Sequence, residues 1–428
     1  MIYKKKLIDR CILLLALFLS AEVEAESWTH QTSGYLSSKI GSYTENRYRN
    51  LSQFFKAQIE ENIDFKNNLS SLNQLRWNSN SFDFDVNKNN TSNKKNTFST
   101  FLGENYIKYK ADNWVTQVGY QEVVWGEAFG FNYADIINPK DLKQTFFNEA
   151  PESRLPLLLI NTKTFFSFGE LVGSIQLLYS PEPKFSKALP IDLLAGNLFP
   201  NQTLSVNEEK NPNIFDNNEF GGKIAASYRG FDLGLFTYKY LDRAPYYTLE
   251  SATLTNLSIN EVHNRIRSSG ISIAKTISDF VFRSDIVYSQ NKKFNNISNF
   301  QLKSYTTNTI DSLISLDSPT YENFSGVLIF ANSNLTNSAP YSFREQKEQY
   351  LIGKITRNLE KEKSIELSYV QDLKQGGKSL QSFLSWPVNS STDLKIGGEF
   401  YFGNEASNLY RLKNVSNVFL SLKNYFQL

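Results

Sequence analysis

Histidine and cysteine are nearly absent: the 428 residues hold two of the first and one of the second. Cys11 lies in an N-terminal run that reads as a leader. The rest of the chain therefore has no thiol, no disulfide frame and no thiolate nucleophile. His30 and His263 are isolated from each other, and both are expected to be solvated, His30 in an N-terminal tail and His263 in a loop. A hydrolase built on a Ser–His pair needs an imidazole beside its nucleophile. A zinc site needs several such ligands together. The expectation is therefore no enzyme, no catalytic residue, no cofactor and no metal. Long apolar runs are missing too, since nothing beyond the leader approaches the roughly 20 residues of a spanning helix. Strong charge is also lacking. The formal net charge is +2, of which the leader carries about one unit, so nothing points to nucleic acid.

The leader has a definite order. Lys4, Lys5, Lys6 and Arg10 precede an apolar run from Cys11 to Leu19, and Val23-Glu24-Ala25 follows. Basic, then apolar, then small is the pattern of a secretory signal, with cleavage expected after Ala25. The run is too short for an anchor helix. Cys11 stands at its start behind Asp9-Arg10, which does not fit a lipoprotein. Residues 1–25 are read as a signal peptide and 26–428 as one domain.

What the chain does have is aromatic residues, 14% of the total, at a mean hydropathy of only −0.39. Strands of a membrane barrel reconcile these two facts. Lipid-facing and lumen-facing residues alternate and average out, while aromatics collect in girdles at both interfaces. The alternation is visible. Phe220, Gly222, Ile224, Ala226 and Tyr228 oppose Gly221, Lys223, Ala225, Ser227 and Arg229; Leu394, Ile396, Gly398, Phe400 and Phe402 oppose Lys395, Gly397, Glu399 and Tyr401; Phe280, Phe282, Ile286 and Tyr288 oppose Arg283 and Asp285. Lys223, Arg229, Arg283, Asp285, Lys395 and Glu399 are accordingly expected to be charges facing the lumen.

Short and long connections take turns along the chain. The tight ones fall at 111–112, 168–169, 230, 277–278, 358–363 and 388–392. The long polar ones fall near 88–98, 122–156, 181–217, 241–264, 290–345 and 403–414. That asymmetry is expected of outer-membrane barrels, with short periplasmic turns and long external loops. The last segment alternates to Leu428 and carries Tyr425-Phe426, as a closing strand engaged by the barrel assembly machinery would. The fold class is thus all-β, a transmembrane antiparallel β-barrel. Counting back from a periplasmic C-terminus gives about 16 strands, with 14 and 18 left open. The run Asp311 to Asp317 lacks the glycine and spacing of a calcium loop and reads as solvated loop.

One segment is too apolar and aromatic for a loop that dangles in water. It runs from Gln117 through Gln121, Trp125, Gly126, Asp135, Asn138, Pro139 and Asp141 to Glu152, Arg154 and Pro156. With Trp114, Thr116, Val118 and Tyr120 facing lipid, Gln117, Gln121 and Trp125 face the lumen. Gly126 and Gly130 allow sharp bends, and a buried loop finds backbone partners in a polar lumen. The expectation is an inward-folded loop after strand five that constricts or plugs the barrel; the alternative is a self-packed external cap. Asn138 to Asp141 reads as an Asx turn or helix start. Arg154 has Asp135, Asp141 and Glu152 as candidate ion partners.

At these residues the chain resembles a family of Gram-negative outer-membrane proteins catalogued as a domain of unknown function. Its members carry Gln-x-x-x-Trp-Gly, here Gln121 to Gly126, and Asp-x-x-Asn-Pro-x-Asp, here Asp135 to Asp141. Glu152 to Pro156 and Phe280 to Asp285 are similar as well. Members usually have arginine where Tyr120 stands, which sets aside a charged role there. The resemblance implies a porin-like barrel with a part in moving lipids or other hydrophobic compounds, beside an inner-membrane exporter. Outer-membrane lipid and lipopolysaccharide are the expected surroundings.

Three functions follow. The first is a channel or transporter whose inward loop selects cargo, and a barrel of this size is wide enough for a path. The second is a surface assembly or adhesion barrel whose loops 181–217 and 290–345 bind polysaccharide or another cell. The third, disfavoured by the histidine count, is a lipid hydrolase.

Overall fold

The computed structural model describes residues 28–44, 51–65, 68–80, 97–128, 131–141, 153–187, 203–207, 209, 215–253, 256–298, 301–337 and 345–427. The leader lies outside the described residues. The N-terminal third forms β1 (Trp28–Tyr43), β2 (Leu51–Phe65), β3 (Leu69–Asn80), β4 (Thr97–Lys110), β5 (Trp114–Gln121), β6 (Leu157–Phe168) and β7 (Leu171–Ser180). Next come β8 (Thr203–Asn207), β9 (Glu219–Tyr228), β10 (Phe231–Leu241), β11 (Tyr246–Ala252), β12 (Asn256–Val262), β13 (Arg265–Ile277) and β14 (Phe280–Ser298). The remainder is β15 (Gln301–Asp317), β16 (Phe324–Leu335), β17 (Lys347–Asn358), β18 (Ser364–Asp372), β19 (Gly377–Asn389), β20 (Thr392–Gly403) and β21 (Asn417–Gln427).

Eighteen of these strands make one sheet in which each pairs antiparallel with its neighbours, and β1 pairs with both β2 and β21, so the sheet closes. In the last pairing Gly34 meets Phe426 and Tyr35 meets Tyr425. Closure divides every strand's residues into an inward and an outward set, with period two. Leu36, Ile40, Ile59, Val118, Ile160, Ile224, Leu235, Ile286 and Leu420 all lie outward and exposed. Inward stand Ser174, Ser268, Ser272, Asp285, Thr309 and Ser315, all buried. A face that exposes Ile and Leu while its opposite buries Ser and Asp suits a solvent of hydrocarbon, not water.

Turns confirm the hairpin logic. Arg229 and Gly230 both take left-handed φ, +50° and +70°, the signature of a two-residue turn whose twist matches its strands. Aromatics cluster at this end of the barrel, where Trp28 stacks on Phe65 and Tyr109 meets Trp114.

The count is eighteen, not sixteen, and the two extra strands are β15 and β16, inside the stretch read from sequence as a loop at 290–345. Asp311 to Asp317, expected to be a solvated loop, is the second half of β15. Here the alternation is disguised. Outward, Ile310, Ile314 and Leu316 are interrupted by Ser312; inward, Leu313 sits among Thr307, Thr309, Asp311 and Ser315. In β16 both faces are apolar, Leu328 and Phe330 outward, Ile329 and Ala331 inward, so no period of two shows. The other long connections also hold structure. From 181–217 and 241–264 come β8, β11 and β12, a separate small sheet with β12 antiparallel to β11 and parallel to β8. It is tied to the extended β14 through Asn295, which accepts from the Tyr247 N–H and donates to its carbonyl, both at 2.7 Å.

The new strand can be checked. Ile314→Lys places a charge outward in the apolar band and is expected to cost about 2–4 kcal/mol of barrel stability in a bilayer, read by urea titration. A loop position would show no such loss.

Candidate functional site

The chain leaves β5 at Gln121 and returns at Leu157, and the described part of this segment is hydrogen-bonded, residue by residue, to residues of the barrel strands. Gln121, itself inward, donates through Nε2 to the Leu159 carbonyl at 3.1 Å and accepts at Oε1 from Asn161 at 3.0 Å. Asn161 accepts from Gln176 at 2.9 Å, and Gln176 accepts the indole N–H of Trp125 at 3.0 Å. This amide chain crosses β5, β6 and β7 and ends on the tryptophan, which is 1% exposed between Phe236 and Tyr238 of β10. An indole needs both an apolar slot and a partner for its N–H, and the wall supplies both.

Asn138 closes the base of the segment. Its Oδ1 accepts the Val123 N–H at 2.6 Å, and its Nδ2 donates to the carbonyls of Gln121 and Leu155 at 2.9 and 3.1 Å. The side chain therefore staples outgoing and returning chain together. Asn138 to Asp141 forms a bend and an isolated bridge between Lys140 and Arg154, not the helix start or local Asx turn expected from sequence. Of the three candidate partners, Arg154 pairs with Asp135, at 3.1 Å; the same carboxylate takes Lys140 at 3.1 Å. Asp141 pairs with Lys187 at 3.0 Å. Glu152 lies outside the described residues.

Past Trp125 the segment reaches other strands. The N–H groups of Glu127 and Ala128 point at the Asp285 carboxylate of β14, at 3.3 and 3.4 Å, and Glu127 forms an ion pair with Lys223 of β9 at 3.6 Å. Ala128 packs in one apolar cluster with Leu313, Ile329 and Ala331, joined by Tyr133. This accounts for the apolar inward face of β16, which is covered by segment side chains. Gly126, at φ +91°, makes the bend, and a Cβ there would fall 2.6 Å from Asn132 Oδ1.

Two buried groups that sequence reasoning passed over complete the fastening. Arg243, beyond β10, binds both oxygens of Glu219 at 2.7 and 2.8 Å and donates to the carbonyls of Ile137 and Lys184. Tyr238 donates to the same carboxylate. Glu219 stands in the inward register of β9 with Gly221 and Lys223, a signal that period-two reading could have used; Arg243 has no sequence signal. Arg76 of β3 likewise pairs with Glu122 at 3.0 Å, while burial pushes the Glu122 carboxyl above its ordinary range against the pull of Arg76.

The remaining expected positions divide. Gln117 is inward beside Asn161, at 3.3 Å. Arg283 is inward and pairs with Asp317. On the far wall Lys395 lies over the Phe383 ring at 4.5 Å, and Glu399 accepts from Gln381 and Tyr401. Arg229 is not on the wall. It belongs to the β9–β10 turn and pairs with exposed Glu170, because the hairpin needed two left-handed residues there. His30 is part of β1, not a tail. His263 is buried, not solvated: it stacks on Phe185 at 3.6 Å, and its Nδ1 lies 2.6 Å from the Asp242 carbonyl, which can only accept, so Nδ1 carries the proton.

Two outcomes follow. Asn138→Ala orphans three buried backbone groups and is expected to cost at least about 2 kcal/mol, read as faster proteolysis within 122–141 while the barrel stays folded. Burial lowers the His263 pKa from its ordinary 6.5, so the stability it contributes is full above that value and is lost as pH falls from there toward the folded value. Protection factors at 183–187, corrected for the intrinsic pH dependence of amide exchange, should fall as pH drops below 6.5, and His263→Phe should remove that fall.

No family model matches the chain, and no characterised protein matches it by sequence. Solved structures do match. OccAB4 of Acinetobacter baumannii is 9% identical with a TM-score of 0.53, covering 94% of this chain and 99% of that one. The outer membrane protein OpdK of Pseudomonas aeruginosa is 9% identical at 0.52, over 94% and 99%. OccAB3 of Acinetobacter baumannii is 10% identical at 0.51, over 93% and 99%. What these share with the present chain is the closed antiparallel barrel.

Proposed function

We propose that the protein is an outer-membrane, porin-like channel in which the segment 122–156 is a constriction or plug. The reading is carried by one observation, the meeting of the Glu127 and Ala128 N–H groups with the Asp285 carboxylate, because Asp285 stands inward on a strand far around the sheet from β5. An 18-stranded barrel leaves an aqueous path unless something fills it. The barrel fold and its likeness to outer-membrane proteins support the location. Cargo of hydrophobic or lipid-like character rests on the family resemblance at Gln121 to Gly126 and Asp135 to Asp141. Selection would act between the segment and the wall it leaves uncovered, where Lys395 and Glu399 stand.

A second reading, binding of polysaccharide at the surface, has the small outer sheet in its favour. There Asn207 donates to Glu250 and Asn260, and Ser258 to Glu250, on an exposed polar face.

Planar-bilayer recordings separate the two. Deletion of residues 126–150 is expected to raise single-channel conductance, and Asp285→Ala to raise it partly by freeing the two N–H groups. A protein that never conducts, with or without the deletion, excludes the channel.

A further inference from the structure

The outward face carries an apolar groove of about 370 Å³ across β14 to β18. Its floor is Gly326 and Gly353, and among its walls are Phe280, Leu328, Ile355 and Tyr369. Gly353 faces Leu328 on one side and Tyr369 on the other, so the missing side chain sits between two large ones. One inward–outward repeat below Ile355, about 7 Å along the strand, Arg357 points out from the same face. It is exposed, covers the Phe324 ring at 5.0 Å, and has no carboxylate partner among the described residues. An outward arginine at the turn end of the barrel stands where the apolar band gives way to headgroups, and membrane-facing cations there attract anionic lipid.

We propose that this groove seats one acyl chain of a phospholipid whose phosphate is held by Arg357. Charge complementarity fixes the direction: the tail lies on Gly353 and Gly326, and the phosphate lies toward the β17–β18 turn. Guanidinium suits phosphate because its planar fork donates two parallel hydrogen bonds. The phospholipid sits in the leaflet on the short-turn side. The proposal rests on the membrane reading of the outward face and is independent of conduction.

A side chain can be started at Gly353 without a backbone clash, since a Cβ added there meets nothing within 4 Å. Full-length barrel purified in detergent would be titrated with palmitoyl-oleoyl-phosphatidylglycerol and its adducts counted by native mass spectrometry, with folding checked by heat-modifiable gel mobility. The native chain is expected to retain one lipid. Arg357→Gln and Gly353→Leu should each weaken retention about five-fold, Arg357→Lys should weaken it about two-fold because it keeps the charge without the fork, and Ile224→Leu, on a distant outward site, should change nothing. Equal retention by all variants overturns the site. So does retention of lipopolysaccharide in place of the phospholipid.

Discussion

Every backbone N–H and C=O that crosses hydrocarbon must find its partner within the sheet, and the pairing of β1 with both β2 and β21 is how this chain meets that demand. Closure removes the edge, and it also creates an inside. Once an inside exists, the period-two alternation of each strand acquires meaning, and Ser, Thr and Asp can be buried in a protein whose outer surface exposes Ile and Phe.

A polar inside also offers partners to irregular chain, and the described part of the segment after β5 has no helix or strand of its own. A buried irregular chain must satisfy its backbone groups one by one. Here the wall and the segment itself do so: Asn138 takes three, Asp285 takes two, Arg243 takes Ile137, and the amide chain Gln121, Asn161 and Gln176 ends on Trp125. Ion pairs there are partly buried, and removing one partner of such a pair is costly because the other charge is left without compensation. Arg243 and Glu219 are the clearest case, with Glu219 fully buried. The order runs in one direction: register sets which residues face in, and those residues set where the segment lies.

The barrel is legible in the sequence through alternation more than composition: Phe220, Ile224 and Tyr228 oppose Lys223 and Arg229 with period two, and short and long connections take turns, whereas the aromatic content alone would also suit a secreted soluble β-protein. Turn chemistry located most hairpins. What it hid follows from the same physics. β15 was disguised by Ser312 outward and Leu313 inward. β16 lost its alternation because Ile329 and Ala331 face Ala128 instead of water. Gln121, Trp125, Asp135, Asn138 and Arg154 were legible as a cluster from their unusual composition. Arg243 was not, since a lone arginine in a polar loop gives no hint that Glu219 waits across the fold.

The placement of the segment against the inward wall is the claim on which the rest turns. The chain has no cysteine after Cys11, so spin labels at two introduced cysteines report without interference. Dipolar broadening in continuous-wave electron spin resonance between labels at Glu127 and Lys223, whose side chains pair at 3.6 Å, in the barrel reconstituted in lipid, measures it most directly. Broadening by a single short distance is the predicted result; its absence, as an external cap would give, would contradict it.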